Sequence, residues 1–131
     1  MNVRDAVEAD AGRLAALTGA PTDVMRNLVH DRTVRVAETE TDETVEGFVS
    51  YDAKNSTVHV TQLEGDAELC ERLLAEPRRF ADREGMEVEL LAMETDDAAK
   101  TAAERAAFRR CGSGPRFDGD RTVRYRWEPT A

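Results

Sequence analysis

Six residues near the middle of the chain, Gln62-Leu63-Glu64-Gly65-Asp66-Ala67, have the types and spacing of an anion-binding turn. They follow an alternating stretch, Thr57–Leu63 (TVHVTQL), and precede an apolar stripe at helical spacing. A glycine at such a place lets the backbone approach a ligand, and the unpaired N–H groups of a helix start face it. Phosphate binding is the chemistry this suits. The same residues also read as structure alone, with Asp66 an ordinary helix cap worth about 1 kcal/mol. Glu64, Asp66, Glu68 and Glu71 crowd the turn, and no Arg or Lys follows it before Arg72. A like charge at about 4 Å costs on the order of 1 kcal/mol in water, and more in a less polar site.

Two neighbouring side chains are candidates for moving a proton. His59 has the intrinsic pKa for it, and Glu64 stands at the end of the strand. Strict alternation puts Val58, Val60 and Gln62 on one side of that strand and His59, Thr61 and Leu63 on the other. No metal site is expected. His30 and His59 stand at no ligand spacing, and Cys70 and Cys111 form no C-x-x-C pair. Both cysteines fall on predicted helices beside apolar residues and read as buried free thiols.

The elements that must position these residues follow from periodicity. Asn2–Ala6 suits a short strand. Ala11, Leu14, Ala15 and Leu17 form a helical stripe with Asp10 as its cap, stopped at Gly19-Ala20-Pro21. Thr22 caps a second helix bearing Val24, Met25, Leu28 and Val29. Thr33–Glu38, Val45–Tyr51 and Thr57–Leu63 alternate as three antiparallel strands. The helix after Gly65 carries Cys70, Leu73, Leu74, Pro77, Phe80 and Ala81 inward, with a kink or break expected near Ala75–Pro77. Gly85 ends it, and Met86–Glu94 supplies a strand parallel to Thr57–Leu63. Asp96 and Asp97 open an alanine-rich helix over Ala98–Cys111 that stops at Gly112. Arg121–Trp127 is the last strand, and Phe117 and Trp127 are expected to close the core. The order is β-α-α-β-β-β-α-β-α-β, an α/β (α+β) domain with a mixed sheet.

Composition bounds the function. A chain of 131 residues with 40% apolar content suits one domain over residues 1–131. Its formal charge of −9 argues against a nucleic-acid partner. Sixteen arginines against two lysines, with abundant Asp and Glu, resemble the proteins of salt-adapted (halophilic) organisms. An acidic surface keeps a protein hydrated there, where the Debye length shrinks to about 3 Å. No apolar run approaches the roughly 18–20 residues of a membrane helix, so no membrane partner is expected. The N-terminus, MNVRDAVEADAG, has early charges and no apolar stretch of a secretory signal, so a cytoplasmic location is expected.

The element order at this length resembles the GCN5-related N-acetyltransferase (GNAT) fold across nearly the whole chain. Val3-Arg4-Asp5-Ala6 with Glu8-Ala9-Asp10 looks like the opening strand and helix start of such enzymes. Val36-Ala37-Glu38 with Val45-Glu46-Gly47-Phe48-Val49 looks like their second and third strands. Ala107-Phe108-Arg109-Arg110-Cys111-Gly112 resembles the last helix, which usually ends in Y-x-x-x-G-F. The Gln62–Ala67 segment fits the Q/R-x-x-G-x-G/A loop on which the family seats the phosphates of acetyl-CoA.

The resemblance implies transfer of an acetyl group from acetyl-CoA to an amine acceptor. Gln62, Leu63, Gly65, Asp66 and Ala67 would bind the cofactor, and His59 or Glu64 would serve as base. Counting four back from Gly112, the tyrosine that usually protonates the departing thiolate is Phe108. Gly112-Ser113 replaces the usual Gly-Phe, and the usual asparagine aligns near Thr101. These departures support the alternative of a non-catalytic GNAT-fold binding or regulatory domain with a degenerate acetyl-CoA site. A third reading is an unrelated α+β domain of similar strand order. A V-shaped opening between Thr57–Leu63 and Met86–Glu94 would support either GNAT reading; continuous pairing would exclude both.

Overall fold

The alternating segments Thr33–Glu38 (β2), Val45–Lys54 (β3) and Thr57–Glu64 (β4) form the expected antiparallel meander in a computed structural model that describes residues 1–129. Asn2–Asp5 (β1) adds to β2 at one edge. An ionic cluster anchors it: Arg4 holds Asp10 with two bonds of 2.9 and 3.0 Å and Glu38 with a third of 3.0 Å. Asp10 stands at the start of Ala11–Thr18 (α1), yet its carboxylate accepts from Arg4 and the Val7 amide instead of capping that helix. Thr22 is likewise the first residue of Thr22–Asp31 (α2), whose N-cap position is Pro21.

Ala67–Glu84 (α3) connects β4 to the parallel strand Glu87–Met93 (β5), and Gly85 ends the helix at φ +67°. The expected break at Pro77 does not occur, because the helix is continuous through it. Pro77 lies buried on the inward stripe with Leu73, Leu74 and Ala81, and burial of that stripe offsets the roughly 3 kcal/mol a mid-helix proline costs. Thr122–Trp127 (β7) pairs antiparallel with β5.

The C-terminal third departs from the sequence expectation in one element. The alanine-rich helix Asp97–Arg105 (α4) stops well short of Cys111, and Arg109–Ser113 (β6) is an added edge strand beside β7. Alanine favours helix, but Arg109-Arg110-Cys111-Gly112 offers no side chain to bury against the sheet, and all of β6 is exposed. Cys111 is therefore an exposed thiol on a strand, while Cys70 is buried as expected. The sheet runs β1-β2-β3-β4-β5-β7-β6.

Two cores sit on opposite faces of the sheet. Helices α1 and α2 bury Leu14 and Met25 against Val36 and Phe48. Helices α3 and α4 bury Leu73, Leu74, Ala102 and Ala103 on the face carrying Val49, Val58, Val88 and Tyr125. Trp127 packs against this second core, whereas Phe117 is 52% exposed and closes neither. No helix among the described residues is long and apolar enough to cross a membrane.

Candidate active site

Strands β4 and β5 pair only from Thr57↔Glu87 to Val60↔Leu90. Beyond that, Gln62–Glu64 stay on β3 and Leu91–Met93 stay on β7. The two strands diverge into a V. Its apex coincides with a bulge: the β3 register steps from Tyr51↔Val60 to Ser50↔Gln62, leaving Thr61 as the extra residue. A bulge bends its strand and increases the local twist, which turns β4 away from β5. The Thr61 and buried Ser50 hydroxyls share a hydrogen bond of 2.6 Å at this point.

The bulge also reverses the faces that strict alternation assigns. Leu63 packs with Val58 and Val60 on the α3 side, while Gln62 and Glu64 pair opposite Ser50 and Phe48 and join the α1–α2 side. This corrects the placement of Gln62 and Leu63 expected from alternation.

The opening is a cleft of about 390 Å³. Thr61–Glu64 form one wall and Leu91–Met93 the other; Asp96 and Ala99 come from the start of α4. Thr18, the last residue of α1, Ala20, between α1 and α2, and Phe117, from the loop before β7, complete it. Among the described residues, the charged groups lining it are Glu64 and Asp96, both acidic. Burial raises the Glu64 carboxyl pKa, and the Asp96 charge raises it further. Asp96 is held in place by capping α4, its Oδ1 accepting from the Ala99 amide at 3.1 Å.

His59 does not line this cleft. It lies in the paired half, opposite Asp52 and Glu89, and a strand rise of about 3.3 Å per residue puts it up to roughly 16 Å from Glu64. The two candidate bases are not brought together.

The Gln62–Ala67 turn runs from the cleft wall into α3. Gly65 has φ +141°, a conformation glycine alone adopts readily. Gly47 of β3 backs the turn so closely that a Cβ there would meet the Glu64 carbonyl oxygen at 2.4 Å. Asp66 is the N-cap of α3, and its Oδ1 accepts the Leu69 amide at 2.8 Å. Beside the helix start lies a hollow of about 490 Å³ where Glu46, Asp66 and Glu68 face Arg72. Burial beside the carboxylates Asp96, Glu64 and Asp66 pushes the Cys70 thiol up to about 12, so it is no nucleophile.

Phe108 lies beyond α4, buried, and not on a helix. Ala107, just after α4, is left-handed at φ +67°, and Gly112 of β6 is so at φ +95°. Phe108 has no proton to give. Thr101 is half-buried within α4 and does not line the cleft.

Sequence reasoning overlooked Phe117 as a cleft residue and Asp96 as more than a helix start. Phe117 lies between Pro115 and Gly119 in a polar loop, a context that favours exposure over core packing.

No protein-family model matches this sequence, and no curated protein matches it. Solved structures do match its shape. A ribosomal-protein-alanine N-acetyltransferase from Brucella melitensis superposes with a TM-score of 0.79 at 17% identity, covering 98% of this chain and 99% of that one. NAA60 from Arabidopsis thaliana, solved with a bisubstrate analogue, gives 0.77 at 14% identity over 98% and 97%. A Desulfovibrio desulfuricans protein assigned to the GNAT family gives 0.71 at 24% identity over 97% and 98%. This is the GNAT fold. Within it, the V of β4 and β5 and the turn into α3 bring together the bulge at Thr61, the positive φ of Gly65 and the raised carboxyl pKa of Glu64.

Proposed function

We propose that this GNAT-fold chain transfers an acetyl group from acetyl-CoA to an amine in the cleft between β4 and β5. The observation that carries this reading is the splay at Thr61, which leaves backbone N–H and C=O groups on both walls without partners across the gap. Such edges suit an extended, amide-bearing arm added between them. The turn fits close backbone approach, since Gly65 at φ +141° carries no side chain to hold a ligand off. Acetyl-CoA supplies the activated acyl group. Gln62, Leu63, Gly65, Asp66 and Ala67 hold its phosphates, chiefly through amides at the start of α3.

Glu64 takes the proton from the acceptor ammonium. Its raised pKa moves it toward that of an effective base near neutral pH, and it lies on the α1–α2 side of the sheet, lining the cleft. Two carboxylates and the exposed ring of Phe117 give the cleft the character of a site for a cationic amine. Catalysis then rests mainly on holding the amine against the acyl carbon. His59, outside the cleft, has no part in the transfer.

A second reading, a GNAT-fold binding or regulatory domain without turnover, is favoured by two observations. Asp66 already occupies the Leu69 amide, and Phe108, at the position the resemblance gives the tyrosine, cannot protonate a leaving thiolate. Incubation with acetyl-CoA and a panel of amines, read by thiol release and by the mass of the acetylated product, separates the two. Turnover that disappears in Glu64→Gln supports the transferase. Cofactor binding without turnover on any amine supports the binding domain.

A further inference from the structure

The chain carries 27 acidic residues against 18 basic ones, and most of its arginines reach a carboxylate. Among the described residues seven do not, and three of the seven, Arg110, Arg116 and Arg121, are gathered around one cavity. This second cavity, of about 270 Å³, lies beside the loop between β6 and β7 and shares no lining residue with the cleft. Among the described residues none of the three forms an ion pair, and only Arg116 has a side-chain bond, to the Gly119 carbonyl at 3.0 Å. One carboxylate, Glu94, lines the same cavity. Three guanidiniums around one carboxylate repel one another unless an anion joins them.

The frame holding them is fixed. Gly114 donates to the Thr122 carbonyl at 3.1 Å, and the Thr122 hydroxyl donates to the Pro115 carbonyl. A Cβ on Gly114 would meet Thr122 Oγ1 at 2.5 Å and Leu91 Cδ2 at 2.7 Å, so the loop is packed down on the sheet. Phe117 and Asp120 exchange backbone bonds of 3.0 and 2.8 Å across its tip. Arg110 from β6 and Arg116 and Arg121 from this loop are thus anchored at set positions, with the Ser113 hydroxyl beside them.

We propose that Arg110, Arg116 and Arg121 form a binding site for an oxyanion, a phosphate or carboxylate group. The guanidinium fork matches two oxygens of such a group with parallel, charge-assisted bonds. The site stands independently of acetyl transfer. The oxyanion is either a free ion or a group carried by an amine.

The test is a titration of isotope-labelled protein with inorganic phosphate, at constant ionic strength set by chloride, following backbone amide shifts. Saturable shifts at Ser113, Gly114 and Arg121 are expected, weakened about tenfold or more in Arg121→Gln and lost in Arg110→Gln/Arg121→Gln. All three arginines are exposed, so these variants keep the fold, which the unchanged remainder of the spectrum verifies. Phosphoethanolamine in place of phosphate identifies the source: tighter binding marks a group carried by an amine, equal binding a free ion, and both uphold the site. Shifts that fail to saturate, that chloride reproduces, or that persist in the double variant overturn it.

Discussion

Gly47→Ala tests the packing that places the turn at the mouth of the cleft. The added Cβ would lie 2.4 Å from the Glu64 carbonyl oxygen and 2.8 Å from Leu69 Cδ2. The leucine methyl can rotate away, but the oxygen belongs to the backbone and must retreat by about 1 Å to reach ordinary contact. That movement carries the Glu64–Gly65 peptide with it. Overpacking of this kind costs about 1–3 kcal/mol, which lowers Tm by roughly 3–12 °C at this chain length. Gly12→Ala is the control: Gly12 lies in α1, and a methyl added there would meet nothing within 4 Å. Alanine at that position stabilises by about 0.5–1 kcal/mol. Thermal unfolding of both variants, with acetyl-CoA titration of each, reads the two consequences together. Gly47→Ala is expected to lose stability and cofactor affinity, and Gly12→Ala neither. A Gly47→Ala protein as stable and as tightly binding as the parent refutes the close approach of β3 to the turn.

Glu64→Gln is expected to lower the rate of acetyl transfer about 10²–10⁴-fold. In the parent the rate climbs with pH through a range above the ordinary carboxylate value, because burial and Asp96 raise the Glu64 pKa, and that limb disappears in the variant. Asp66→Ala removes a helix cap and is expected to cost about 1 kcal/mol in denaturant unfolding. It also removes a carboxylate from the proposed phosphate turn and frees the Leu69 amide, so acetyl-CoA binds it more tightly by calorimetry. Asp10→Asn breaks the paired bonds to Arg4 and is expected to cost about 1–2 kcal/mol, allowing for the partial exposure of the arginine. The Arg4 bonds hold the Asp10 pKa below its unfolded value, so this stabilisation is present above the unfolded pKa and is lost as pH falls through the folded one. Phe117→Ala leaves Tm nearly unchanged, since the ring closes neither core, and raises the acceptor KM in steady-state kinetics.

Periodicity made most of the fold legible: the meander, the helix after Gly65 and the parallel return strand all follow from apolar spacing. It failed where local propensity and tertiary context disagree. Alanine-rich residues up to Ala107 read as continuing helix, yet Arg109–Ser113 completes a sheet edge that no alternation in RRCGS announces. The proline at 77 reads as a break only when the helix is considered apart from the core that holds it. At the site, Glu64 and the Gly65 turn were visible in the sequence, but the bulge was not. A single unpaired residue, Thr61, changes which faces Gln62, Leu63 and Glu64 present, and alternation cannot reveal it. Phe117 reached the cleft through a loop whose course depends on Gly114 seating against Thr122 and against Leu91, the latter far from it in sequence.

The measurement that tests the central claim most directly is a titration of isotope-labelled protein with acetyl-CoA in molar salt, following backbone amides. Shifts concentrated in Thr61–Leu69 on one side of the V and in Leu91–Met93 on the other, weakened in Gly65→Glu, are the predicted result. An unchanged spectrum at millimolar acetyl-CoA, with the fold intact, would contradict it and leave the turn into α3 a helix cap alone.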